Sequence, residues 1–379
     1  MIVYLDNAAT TRVSSAAARA AYEAMTEGFW NPSARYPQAA QTAKQVKSHR
    51  EMVAKALGCE AKELVFTSCG TEGDNWAIRI ALHKNRHAGK HIITTAIEHS
   101  AVLAPCRQLE QQGYEVTYLQ PDETGSIQLS DLEQALRPDT ILVSMMLVNN
   151  ELGTVLPVKE AVRLTRRLAP KALFHTDAVQ AFLKVPFTPK GLGVDLLSIS
   201  GHKIHAPKGI GALYIRSGLQ AQPVFLGGGQ ENGLRPGTEA TAQIAAMAVA
   251  AQEGKADFQK NISHMRQLKQ YTLEQLALHV PEVQRVGAGT APHILALTLP
   301  GYKAEVLVRV LGDMGVCVSA GSACHRGAPS HVYSAMGLTK AQREGTFRVS
   351  FSGENTTEEI DLLISALKQA RDQLFTSMS

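Results

Sequence analysis

Short, near-continuous apolar runs alternate with amphipathic stretches through the first two thirds of this chain, and that alternation restricts the fold more than any other feature. Leu64-Val65-Phe66-Thr67 reads as a strand and residues 74–83 as a helix. Ile92-Ile93-Thr94-Thr95 reads as a strand, residues 101–112 as a helix, and Val116-Thr117-Tyr118-Leu119 as a strand. Ser130-x-x-Glu133 predicts a capping box opening a short helix. Residues 141–146, 172–175 and 196–199 are further apolar runs bounded by polar turns. Strands with apolar residues at successive positions are covered on both faces, so they belong to a mostly parallel sheet with helices on either side. Near Gly254 the pattern changes. A long helix is expected over residues 257–278, with Phe258, Ile262 and Met265 on one face. Strands are expected over residues 294–299 and 316–319. A last helix follows Thr356-Thr357-Glu358-Glu359, with Ile360, Leu363, Ile364 and Leu367 at helical spacing. The expected class is therefore α/β. A large domain over residues 16–255 holds the mostly parallel sheet, and residues 1–15 plus 256–379 form a smaller α+β domain that packs tightly against it and shares a cleft.

Composition removes several function classes. At roughly 150 residues per domain, 379 residues suggest two or three domains. With 45% hydrophobic and 19% charged residues the chain is neither disordered nor fibrous. The net charge of +4 is spread without a Lys/Arg block, which argues against nucleic acid as a partner. No apolar run reaches the ~18 residues of a membrane span, and the Ala-rich run 244–251 reads as a buried helix. Met1-Ile2-Val3-Tyr4-Leu5-Asp6 lacks the basic and apolar regions of a signal peptide. Five cysteines without metal-ligand spacing point to a cytoplasmic, thiol-reduced protein with no metal site.

Three stretches carry chemistry. Asp177-Ala178-Val179-Gln180 and Ser200-Gly201-His202-Lys203 each follow an apolar strand, one crossover apart, so both land at the carboxyl edge of a parallel sheet, where ligands bind. A lysine that attaches the cofactor and a carboxylate facing its ring nitrogen suit pyridoxal phosphate. On spacing alone, a surface lysine and a helix-capping aspartate fit as well. Ser68-Cys69-Gly70-Thr71-Glu72 lies between a strand and a helix, where backbone N–H groups and the Thr71 hydroxyl would cradle a phosphate. A plain Ser/Thr N-cap fits that stretch too. Ser319-Ala320-Gly321-Ser322-Ala323-Cys324-His325-Arg326 places a cysteine in a small-residue loop beside positive charge, which favours the thiolate. Cys59, Cys69, Cys106 and Cys317 read as ordinary small hydrophobes. His99 follows a strand and could stack on a cofactor ring.

Taken together these residues resemble the class V aminotransferase family, specifically its cysteine desulfurases of the NifS/IscS type. The resemblance covers essentially the whole chain. It runs from Tyr4-Leu5-Asp6-Asn7-Ala8-Ala9-Thr10-Thr11 through Asn31-Pro32-Ser33, Thr71-Glu72, Glu98-His99 and Val148-Asn149-Asn150-Glu151. It continues through Asp177, Gln180 and Ser200 to Lys203, then Gly227-Gly228-Gly229-Gln230-Glu231 and Arg235-Pro236-Gly237-Thr238. It ends with Ser322-Ala323-Cys324 and Phe347-Arg348-Val349-Ser350. It implies a fold-type I pyridoxal 5'-phosphate enzyme that turns L-cysteine into alanine and leaves a persulfide on Cys324, for an acceptor protein in iron–sulfur assembly or tRNA thiolation. It implies catalytic roles for Lys203, Cys324 and His99. It implies cofactor contacts from Gly70, Thr71, His99, Asn150, Asp177, Gln180, Ser200, His202 and Lys203, and from Thr238 of a second subunit, hence a homodimer. Asn31 and Arg348 would clamp the substrate carboxylate.

The chain departs from that pattern in places. Where relatives read Asn-Pro-Ser-Ser-x-His, this sequence has Asn31-Pro32-Ser33-Ala34-Arg35-Tyr36-Pro37 and carries no histidine there. Cys69 stands where glycine or alanine is common. Only four residues separate Cys324 from Pro329, and a segment that short is expected to keep Cys324 near the cofactor. The rival readings are a selenocysteine lyase using the same residues, an ordinary aminotransferase, and a non-catalytic paralogue that binds the cofactor and a partner.

Overall fold

The computed structural model describes residues 2–321 and 330–373. After a short β1 (Val3–Tyr4) come the seven strands of the central sheet: β2 (Leu64–Thr67), β3 (His91–Thr95), β4 (Glu115–Leu119), β5 (Thr140–Ser144), β6 (Leu173–Asp177), β7 (Leu196–Ser200) and β8 (Gly211–Ile215). Their order across the sheet is β2-β8-β7-β6-β5-β3-β4. The pairs from β7 to β4 are parallel, and β8 runs antiparallel to both β7 and β2. Three strands, β9 (Gln284–Arg285), β10 (Ile294–Thr298) and β12 (Thr346–Ser350), form an antiparallel sheet in the order β12-β10-β9. Parallel to β1 lies β11 (Val316–Cys317).

The apolar runs are continuous because successive residues serve two different cores. Ile92, Leu142, Leu173, Leu196 and Leu213 pack on one face, under α3 (Gly70–Lys84) and α4 (Ser100–Gln111). Their neighbours Ile93, Val143, Phe174, Leu197 and Ala212 pack on the other. That second face is shared with α2 (Pro37–Leu57) and α6 (Val158–Leu168). Helices α1 (Ser15–Thr26) and α2 in turn pack on α8 (Thr241–Ala256), whose Ile244, Met247 and Ala251 are buried as expected. Short α5 (Leu129–Ala135) and α7 (Pro189–Leu192) complete this region. A third core joins Val3 and Leu5 to Met265 of α9 (Phe258–His279), Leu307 of α10 (Ala304–Asp313) and Leu363 of α13 (Thr357–Gln373). Between the last two helices lie α11 (His331–Ala335) and α12 (Lys340–Glu344).

Three local expectations change. The Ser130/Glu133 capping box does not form: α5 begins at Leu129, its N-cap is Gln128, and Ser130 sits inside the first turn. Helix α3 starts at Gly70 with Cys69 as an N-cap that makes no side-chain bond, so Thr71 lies within the helix and is not a cap. Strand β8 is absent from the sequence reading. It follows β7 after residues 201–210, which hold a 3₁₀ turn and no crossover α-helix, so it lacks the strand–helix alternation that marks the others. The closing Thr356/Glu359 signal holds, with the Glu359 carboxylate accepting the Thr356 N–H at 3.1 Å.

Candidate active site

At the carboxyl edge of the sheet a cavity of about 260 Å³ is lined by residues from both ends of the chain. Asp177 is the last residue of β6, and Lys203 closes a 3₁₀ turn (Gly201–Lys203) directly after β7. Because β6 and β7 are parallel neighbours, the two side chains reach the same edge. Of the residues singled out in the sequence, Gly70, Thr71, His99, Asn150, Asp177, Gln180, Ser200, His202, Lys203 and Arg348 all line this cavity. Asn31 and Thr238 are exposed and line no part of it. Cys324 lies outside the described residues, as does the expectation about its short loop.

The N-terminal segment closes one wall. Lys203 Nζ donates to the carbonyls of Ala8 at 2.6 Å and Ala9 at 2.7 Å, and Gln180 Nε2 donates to Ala8 at 2.9 Å. Opposite, the first turn of α3 presents the N–H groups of Gly70 and Thr71, which the helix itself leaves unpaired. A side chain at position 70 would meet Val179 Cγ2 at 2.7 Å, so glycine is needed for α3 to come this close. Ser200 Oγ is buried without a hydrogen-bond partner at the same end of the cavity. His202 Nδ1 lies 3.3 Å from Thr10 Oγ1, and burial, with Lys203 and Lys208 nearby, pushes its pKa down to about 4.

His99 caps α4, its Nδ1 accepting the Ala101 N–H at 3.1 Å, which fixes the ring beside the cavity. Asp177 Oδ1 accepts the Val179 N–H at 2.8 Å. Burial and the neighbouring Asp74 raise its pKa to about 7.

Arg348 is placed by strand alternation. Its neighbours on β12, Phe347 and Val349, point into the third core, so Arg348 points the other way, toward the cavity. It is 2% exposed. Nη2 pairs with Asp6 at 2.8 Å, Nη1 donates to the Asn150 carbonyl at 2.7 Å, and Nε has no partner among the described residues. Sequence reasoning missed Asp6 as the anchor of Arg348 and Asp74 as part of the lining. An aspartate on the buried face of a helix, between Gly70 and Ala77, was the available signal for the second.

A ligand with an anionic end, a basic ring nitrogen and a carbonyl that condenses with an amine matches this donor set. The unpaired helix N-terminus and orphaned Ser200 hydroxyl suit the anion, Asp177 the nitrogen, and Lys203 the carbonyl. Pyridoxal 5'-phosphate has these three features.

The comparisons with known proteins agree. The family model described as Aminotransferase class-V matches residues 3–363. A cysteine desulfurase from a Nostoc sp. is 41% identical over 377 residues, covering 98% of this chain and 94% of the relative. A solved NifS-like protein superposes with a TM-score of 0.93 at 34% identity, covering 99% of this chain and all of the other. The structure titled SspA in complex with cysteine gives a TM-score of 0.80 at 34% identity, covering 93% of this chain and 99% of that one.

Proposed function

The chain belongs to the aminotransferase class-V family as a pyridoxal phosphate-dependent cysteine desulfurase, and from that premise we propose how its residues divide the work. The observation that carries the reading is Lys203 and Asp177 meeting, with His99 and Arg348, in one cavity. When bound, pyridoxal phosphate supplies a conjugated acceptor for the electrons left as a Cα–H bond breaks. Gly70, Thr71, Ser200 and His202 would hold its phosphate. Asp177 would face its ring nitrogen and Gln180 its ring hydroxyl, with His99 and Asn150 beside the ring. Lys203 Nζ would be the amine that holds the cofactor in place.

Arg348 then orients the substrate. Fixed by Asp6 and the Asn150 carbonyl, its guanidinium is held at the cavity wall to meet the cysteine carboxylate, which costs little reorganisation. Asn31 stands away from the cavity, so the clamp built within one chain is Arg348. Lys203 Nζ, once freed, takes the Cα proton. The Cys324 thiolate attacks the substrate sulfur. The substrate C–S bond breaks, an S–S bond forms on Cys324, and the substrate β-carbon takes up a proton, so alanine leaves. Sulfur is oxidised to the sulfane level as the carbon is reduced, and no outside oxidant is needed. The cysteine held by a structurally similar protein supports this substrate.

The working unit is a homodimer whose Thr238 completes the phosphate site of the other subunit, in keeping with its exposure here. A soluble acceptor protein in iron–sulfur assembly or tRNA thiolation collects the sulfur. Free Cys59, Cys69, Cys106 and Cys317 support a thiol-reduced, cytoplasmic setting. Among the described residues no helix is long and apolar enough to cross a membrane. We divide the chain into residues 16–255 and residues 1–15 plus 256–379, a division supported by the core that Val3 and Leu5 share with α9, α10 and α13.

Cys324→Ala tests the assignment. The variant should bind pyridoxal phosphate, while alanine and sulfide production fall by about 10³-fold or more. Wild-type protein given cysteine should gain one sulfur on Cys324 by mass spectrometry. Wild-type turnover in the variant would remove Cys324 from the mechanism and favour selenocysteine lyase chemistry.

A further inference from the structure

The face of the central sheet under α3 changes character along its strands. Leu142, Leu173 and Leu196 are buried and apolar at its start. Two residues later on the same face stand Ser144, His175 and Ser198, all 0% exposed. Ser144 Oγ lies 2.9 Å from His175 Nδ1, and His175 Nε2 lies 3.2 Å from Ser198 Oγ. Asp74 descends from α3 onto this row, with Oδ1 3.4 Å from His175 Nε2 and without a hydrogen-bond partner. Asp74 is 1% exposed and lines the cofactor cavity together with Asp177.

Two carboxyls buried side by side cannot both be ionised. Their surroundings decide which keeps the proton. Asp177 accepts a backbone N–H from Val179 and has the His99 ring beside it, and both favour its anion. Burial raises the pKa of both carboxyls to about 7, so the hydrogen bonds make the difference: Asp74 has the Ser198 hydroxyl and, among the described residues, accepts no backbone N–H. The other titratable groups near the pair are His202, Lys203 and Arg348, which line the same cavity, and Glu98 and His175. Glu98, before α4, is a fully buried third acid whose charge would add to theirs. His175 is held neutral, its pKa lowered by burial to about 4, so it brings no compensating cation.

We propose that Asp74 carries a proton in the holoenzyme, is 3.4 Å from the neutral His175 ring as a potential donor, and thereby leaves Asp177 as the single anion facing the cofactor ring nitrogen. Asp74 is thus a positioning residue that acts through Asp177. The proposal rests on the cofactor reading above. A visible cofactor band that disappears in Lys203→Ala tests that reading separately.

Two measurements test the proposal itself. Infrared difference spectra of the holoenzyme across the neutral range should show a protonated carboxylic acid band. In a Glu98→Gln background, which removes the band of that buried acid, the remaining band should persist in Asp177→Asn and vanish in Asp74→Asn. Direct titration with pyridoxal phosphate should show Asp74→Asn within about threefold of wild type and Asp177→Asn weakened about tenfold or more. A band that vanishes in Asp177→Asn with Asp74 intact would overturn the proposal, even if Asp74→Asn fails to fold. Equal loss of cofactor affinity in the two asparagine variants would overturn it too.

Discussion

The carboxyl edge of the central sheet and the exposed segments that carry Asn31 and Thr238 are built in opposite ways. At the sheet edge most proposed cofactor ligands sit on, or within a few residues of, a buried strand or a helix N-terminus. Asp177 ends β6, Lys203 follows β7, and Gly70 opens α3. Packing between the two cores fixes these positions before any ligand arrives. Asn31 instead lies in an irregular stretch between α1 and α2, where its Oδ1 accepts the Ser33 N–H at 2.9 Å. Thr238 lies in the loop after the 3₁₀ turn Gln230–Gly233, held back on its own chain through Arg235 and Glu72 at 3.0 Å. One region is a finished site, and the other is a surface that gains a function from whatever covers it. A single chain can therefore preorganise cofactor chemistry, while in the proposed homodimer the partner completes the site.

The largest break in that contrast is Lys203→Ala. It removes the amine proposed to tie the cofactor and move the Cα proton, so turnover should fall by about 10³-fold or more. The fold should survive, since Lys203 lines the cavity at the sheet edge, where it donates to the carbonyls of Ala8 and Ala9. Stopped turnover with an unchanged melting temperature fits the finished-site picture. Retained turnover would place the chemistry elsewhere.

Arg348→Lys should have a smaller effect. A lysine cannot reach Asp6, the Asn150 carbonyl and a substrate carboxylate from one planar fork. Losing a charge-assisted contact of about 1.5–3 kcal/mol predicts a ten- to hundredfold drop in kcat/KM, mostly through KM. A change confined to kcat would show that Arg348 shapes the reacting centre and does not hold the carboxylate.

How much of this was legible follows the same division. The edge residues were visible because each sits at a fixed offset from an apolar run, and a run buried on both faces leaves little freedom in where its end points. Arg348 was visible through the family pattern, and its orientation follows from lying between Phe347 and Val349. Asp6 and the Ala8 carbonyl were opaque because their importance comes from a segment about 170 to 340 residues away in sequence. The false capping box at Ser130 shows the converse limit. Glu133 pairs with Arg167 at 2.8 Å instead, so a tertiary ion pair took the side chain that the local pattern assigned to the cap.

Thr238→Ala should give the smallest effect and bears most directly on the contrast. One hydrogen bond at the edge of a phosphate site is worth about 1 kcal/mol, which predicts about fivefold weaker pyridoxal phosphate binding. The size alone does not say which subunit uses the hydroxyl, but mixing variants does. In a dimer of one Lys203→Ala chain and one Thr238→Ala chain, sharing across the interface puts both defects in one site and leaves the other intact. That mixed dimer should therefore turn over cysteine at limiting cofactor with wild-type affinity at its single working site. If Thr238 served its own chain, the only site retaining Lys203 would still lack the hydroxyl, and the fivefold weakening would persist.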